Sequence, residues 1–324
     1  MKNSKIPSNL KKKKKVLIIF ILILLLIIFI KFDYKILEEN LLANVEPEIK
    51  PPTLNDFKKD LEFLVNRYKY LIKNEKNIDE NSPIWMMWYQ GIKDAPPIVL
   101  SCIQSIILNK AKHPLIIISK YNLEKYIKLP SFIKNKFENN TFSITHFSDI
   151  VRMALLSKYG GYWIDSTYFI STPLTKVNTT FFTLKLNYCW TKDIFFMTCL
   201  WAGNFFATNK HSFIATYGYM AFLYYWKKYN TLVDYFLIDY IIYVAYENLK
   251  EFKDTITNLP FINCSIFNLA GSLKSIYRKS DFECSFNKLY KMDNSALNND
   301  TKNLTNYEYI INEYKLNPLH IIDN

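Results

Sequence analysis

The chain has 324 residues, with 41 Lys+Arg against 29 Asp+Glu and a formal net charge of +12. Seven lysines (Lys2, Lys5 and Lys11 to Lys15) fall in the first fifteen residues with no acid among them, which leaves +5 for the other 309. A basic tail on a nearly balanced protein argues against a dedicated nucleic-acid binder, and 50% apolar with 17% aromatic residues is not the composition of disorder.

The tail abuts Val16 to Ile30, fifteen consecutive apolar residues ended by Lys31. As a helix this run spans roughly 22 Å, enough to cross a thin bilayer if Lys15 and Lys31 snorkel. The rival is a cleaved signal peptide, but the chain continues Lys31, Phe32, Asp33, Tyr34, Lys35 without the small residues that cleavage needs. The expectation is a signal anchor (16–30) after a cytosolic tail (1–15), with the lysine asymmetry holding the N-terminus in the cytosol. Residues 31–82, with Pro47, Pro51 and Pro52, read as a stem carrying one helix near Leu54 to Leu71, and 83–324 as one α/β domain.

Ile84 to Tyr89 reads as a first strand and Ile98 to Asn109 as a helix, with Pro96 and Pro97 where a first turn tolerates proline. Leu115 to Ser119 suggests a buried parallel strand, and Leu129 to Phe137 a polar helix. His146 to Tyr159 is amphipathic and stops at Gly160-Gly161, and Tyr162 to Asp165 is then a strand ending in an acid. This alternation predicts an α/β fold that binds its ligand at the carboxyl ends of strands, where Asp165 falls. Of the five cysteines, Cys264 and Cys284 form the most plausible local disulfide, with buried free thiols as the alternative.

Rare residues single out one segment. The chain has three arginines and six glycines, and Arg152, Gly160 and Gly161 all lie in HFSDIVRMALLSKYGGYWIDST, His146 to Thr167. Asp149 and Arg152, three apart, share a helix face, and on their own they read as an ordinary surface ion pair.

In context the segment resembles the signature of glycosyltransferases with Asp-x-Asp motifs, closest to the capsular polysaccharide synthesis proteins and related to Och1-like mannosyltransferases. Ser148, Asp149, Arg152, Tyr159, Gly160, Gly161, Trp163, Asp165 and Thr167 match in order and spacing. Flanking matches are Trp85, Trp88 and Gly91, the Ala95-Pro96-Pro97 turn, Trp201 to Phe206 (WAGNFF) and Asp234 to Glu247. The resemblance spans about 84–270. It implies a GT-A, Rossmann-like fold and retaining transfer of a hexose from a UDP- or GDP-sugar to a glycan acceptor. It also implies a Mn²⁺ or Mg²⁺ ion to meet the charge that develops on the leaving diphosphate.

By the resemblance Asp165 serves metal and ribose, while Asp149 and Arg152 hold the donor sugar. Gly161 and Asn204 fall in the donor-binding set, and Trp88 stacks on the base, with core packing as its alternative. Thr167 replaces the second carboxylate, and Asp239 is the candidate to make up the metal's ligands, the alternative being an acid exposed on an aromatic helix. A catalytically silent glycan-binding or scaffolding relative is the competing function. The topology implies a type II protein of the Golgi or ER membrane with a lumenal domain, the alternative being a bacterial inner membrane.

Overall fold

The structure, a computed structural model, describes residues 41–48, 50–186, 200–289 and 304–317. Two compact units divide the chain, 1–48 and 49–324. The expected anchor at 16–30 lies outside the described residues, among which no helix is long and apolar enough to cross a membrane.

The second unit opens with α1 (Leu54–Tyr68), started by Thr53, whose hydroxyl accepts from the Asp56 amide at 3.2 Å. Its apolar positions Phe57, Leu61, Leu64 and Val65 are fully enclosed. The segment expected as a stem therefore belongs, from residue 49 onward, to the same folded unit as 83–324. Phe57 and Leu61 are four apart, and the stripe they begin needs a partner to cover it.

After β1 (Ile84–Met87) comes α2 (Pro97–Asn109), with Pro97 in its first turn. Strand β2 (Leu115–Ile118) then pairs parallel with β1. Helix α3 (Ser131–Glu138) begins only after Pro130. Helix α4 (Ile144–Tyr159) is capped by Ser143 and leads into β3 (Gly161–Ile164), parallel to β1. Next come β4 (Tyr168–Ile170), β5 (Phe181–Thr183), the two-residue β6 (Lys185–Leu186) and β7 (Phe205–Thr208). The main sheet runs β2-β1-β3-β7-β5, its first three strands parallel and β7 antiparallel to both neighbours.

Helices α5 (Phe213–Lys228), α6 (Leu237–Asn248) and α7 (Lys250–Thr257) follow, and α1 packs on α5 and α6. The short β8 (Phe261–Ile262) pairs with β6, and β9 (Phe286–Lys288) pairs antiparallel with β4; α8 (Asn306–Glu313) contacts α2. The expected pair of Cys264 and Cys284 is a disulfide.

Period-two alternation assigns the two sheet faces. Ile84, Met86, Tyr162, Ile164, Phe205 and Ala207 join one apolar cluster with α2. The alternate residues turn the other way: Trp85 packs against Tyr159 of α4 at 5.3 Å, and Trp163 and Phe206 receive Arg152. Strand β3 is thus buried on both faces, and its end is a fixed point.

The turn from α4 into β3 requires both glycines. Gly160 and Gly161 have φ of +68° and +98°, and a Cβ at Gly161 would lie 2.1 Å from the Pro83 carbonyl oxygen. Gly161→Ala should cost about 3 kcal/mol or more, read as lost soluble yield or a large fall in Tm; an unchanged Tm would contradict the turn. The disulfide closes a loop with a sequence separation of 20. Replacing both cysteines by serine should cost about 3 kcal/mol, a fall of roughly 10 °C in Tm, with thermal melts as the check.

Candidate active site

Helix α4 carries Asp149 and Arg152 on one face, and the two glycines return the chain so that Asp165, the first residue past β3, comes to the same place. Arg152 Nη2 lies 3.0 Å from Asp149 Oδ1 and 3.1 Å from Asp165 Oδ1, while Nη1 donates to the Gly203 carbonyl. The guanidinium lies over the Trp163 ring at 5.1 Å and the Phe206 ring at 5.8 Å. A planar fork can reach three acceptors while stacking on a ring, and a lysine cannot. The Arg152 side chain is 4% exposed and that of Asp149 7%, so this is a buried pair and not the surface pair that the spacing alone suggests.

Asp165 is the most exposed member, its side chain 26% accessible. Trp163 Nε1 donates to its Oδ1 at 2.8 Å, and its backbone amide donates to the Asn204 carbonyl at 3.1 Å. Asn204 is fixed in turn by the Tyr168 hydroxyl, which donates to Asn204 Oδ1 at 2.6 Å. Asn204 therefore meets Asp165 through the backbone. Gly161 acts as the turn and not through any side chain, and Trp88, 8% exposed, lies in the apolar cluster beside β1 as its packing alternative has it.

Asp239 of α6 is buried, contrary to the exposed alternative, and Trp201 Nε1 donates to its Oδ1 at 3.0 Å. A Cβ at Gly203 would lie 3.0 Å from the same oxygen, so Gly203 links Asp239 to the arginine that binds its carbonyl.

One residue of the site escaped the sequence reading. Lys288, on β9, donates to Asp165 Oδ2 at 2.8 Å and to Thr167 Oγ1 at 2.7 Å. It is one lysine among 38, in the stretch without a readable motif, and only the β4–β9 pairing brings it here.

Burial pushes the Asp149 carboxyl up to about 7, against the pull of Arg152 and with help from Asp165 and Asp239. Burial likewise pushes Asp239 up to about 7, opposed by the Trp201 hydrogen bond and Arg152. Burial raises Asp165 too, but Lys288 and Arg152 outweigh it and hold the carboxyl below its usual range. Asp165 is the carboxylate that stays charged.

A divalent cation does not fit this donor set. Lys288 occupies Asp165 Oδ2 and the Thr167 hydroxyl, Asp239 is engaged by Trp201, and among the described residues no three His, Cys, Asp or Glu side chains gather to hold a metal. A separate cleft of about 720 Å³, lined by Thr180, Phe182, Thr255, Pro260 and Phe286, includes none of Asp149, Arg152, Asp165 or Lys288.

Fold and site together define a mixed α/β protein with an acid-and-base cluster at the carboxyl end of a central strand. The family model described as capsular polysaccharide synthesis protein matches residues 34–312, and the chain belongs to that family. No curated protein matches it. Five chains of solved structures match. One, titled PaToxG glycosyltransferase, is 16% identical over 50% of this chain and 67% of that one, with a TM-score of 0.30.

Asp239 gives a test with a definite sign. Its folded pKa lies above the unfolded value, so its contribution to stability is full below about pH 4 and is lost as pH rises through about 7. Asp239→Asn should match wild type near pH 4 and become the more stable protein toward pH 8, diverging by up to about 1.4 kcal/mol per pH unit between. Denaturant unfolding at several pH values measures this, and parallel curves would contradict it.

Proposed function

We propose that the protein is a glycosyltransferase that moves a hexose from a UDP- or GDP-sugar to a glycan or polysaccharide acceptor. The observation that carries this reading is the convergence of Asp149, Arg152 and Asp165 at the end of β3 in a member of the capsular polysaccharide synthesis family. Transfer breaks the bond from the sugar's anomeric carbon to the diphosphate oxygen, which takes the electron pair, and joins that carbon to an acceptor oxygen that gives up its proton. Charge grows on the phosphate and on the ring, and fixed charges near each stabilise the transition state.

In this reading Asp165 is the carboxylate the donor meets first. Arg152 holds Asp165 and Asp149 in register, and Asp149 contacts the sugar. Transfer with retention of configuration goes with the resemblance of the Ser148-to-Thr167 segment. The apolar run Val16 to Ile30 and the lysines before it support a membrane-anchored, type II arrangement. The Cys264–Cys284 disulfide supports an oxidising compartment for the domain, such as the Golgi or ER lumen.

Full-length protein is to be assayed for hydrolysis and transfer with UDP- and GDP-hexoses. Asp165→Asn and Asp149→Asn should each lower turnover by about 10² or more with folding retained. Full activity in both variants overturns the reading, and failure of wild type to bind any nucleotide sugar under any metal favours the silent alternative.

A further inference from the structure

Strand β9 is pinned on every side of Lys288. Tyr168 faces Lys288 across the β4–β9 ladder, the Leu289 amide donates to the Thr167 carbonyl at 2.8 Å, and the Lys288 amide donates to the Ile266 carbonyl at 2.7 Å. Four residues earlier Cys284 is bonded to Cys264, and Asn287 Nδ2 donates to the Cys284 carbonyl at 2.7 Å. The side chain is 14% exposed, so the ammonium is neither free in solvent nor sealed off. Two of its three N–H groups go to Asp165 and Thr167. The Tyr168 ring lies 5.2 Å away on one side. One N–H is left for a ligand.

The charges explain Thr167. Two carboxylates balance a divalent cation, while one carboxylate and a neutral hydroxyl balance a single ammonium. With Arg152 also on Asp165, the group of Asp165, Thr167, Lys288 and Arg152 keeps one positive charge for a diphosphate; a second aspartate in the place of Thr167 would cancel it. The threonine and the lysine make sense together, and neither does alone.

We infer that Lys288 is the built-in cation of the site, held between Asp165 and Thr167 to bind the diphosphate of the donor nucleotide, so that nucleotide binding needs no divalent metal. The inference rests on the function proposed above and adds what that reading leaves open, the source of positive charge at the leaving group. A lysine is a recurrent phosphate ligand that acts as a point charge, and one ammonium suits a phosphate oxygen as well as a carboxylate.

Binding of UDP and of GDP to the full chain, titrated calorimetrically in EDTA and again with Mn²⁺, tests this. Wild type should bind one of them with closely similar Kd in both conditions, and Lys288→Met should weaken binding in EDTA by roughly tenfold or more. Lys288→Arg, which keeps the charge, should retain most of the affinity. Mn²⁺ alone, followed by its electron paramagnetic resonance signal, should remain unbound by wild type. Wild-type binding that tightens roughly tenfold with Mn²⁺, or a folded Lys288→Met that binds as wild type does, overturns the inference and leaves the proposed function standing. If Lys288→Met fails to fold, the EDTA and Mn²⁺ comparison on wild type still decides. Failure of both nucleotides to bind under any condition rejects the proposed function and this inference with it.

Discussion

Everything in the site hangs on one buried guanidinium. Arg152 ties helix α4 to the end of strand β3 through Asp165, which supplies the counter-charge, and to the WAGNFF segment through the Gly203 carbonyl, while Asp149 on its own helix meets the same nitrogen. An arginine 4% exposed is costly to hold unless its hydrogen bonds are met, and breaking one partner of such a pair costs about 3–5 kcal/mol. Its burial depends on Trp163 and Phe206, alternate residues that turn to its side of the sheet because their neighbours turn to the other. The two glycines matter for the same reason: without the sharp turn at 160 and 161, Asp165 would not return to the helix that carries its partner.

Three carboxylates and two cations meet here, and geometry decides which carboxylates stay charged. A single nitrogen of Arg152 serves both Asp149 and Asp165, and Lys288 serves Asp165 alone. The balance therefore tips toward Asp165, which is also the most open of the three. Asp149 and Asp239 lie deeper, and burial pushes each carboxyl up to about 7, so near neutral pH each takes up a proton more readily than an exposed carboxylate does.

Local chemistry in the sequence made much of this legible. The glycine stop after α4, the proline start of α2, the apolar run of β2 and the acid past β3 each follow from rules that act within a few residues, and the strands and helices fall there with ends shifted by a residue or two. Asp149, Arg152 and Asp165 stood out because arginine and glycine are scarce in this chain. What stayed hidden depends on distant pairing. The segment from 54 to 68 looked like stem because it is mixed in charge and follows Pro47, Pro51 and Pro52, and α5 and α6 give its apolar stripe something to bury against. Asp239 looked exposed because its helix is rich in tyrosine, and only Trp201, 38 residues away, shows why an acid is held inside. Lys288 had no signal of rarity at all.

That last residue changes what the missing second aspartate means. Read along the chain, Thr167 is a weakened metal ligand. Seen beside β9, it is an acceptor of the right charge for a lysine that arrives from 121 residues away. A cation carried by the chain is in place whenever the domain is folded, whereas a metal must be drawn from its surroundings and lost again when it is scarce. The cost is structural: β9 has to be held against β4, and the short strand needs more than its three ladder positions to stay there. The Cys264–Cys284 bond and the Asn287 side chain provide the rest, so a strand with no readable motif is held in place by a disulfide and a buried side-chain hydrogen bond.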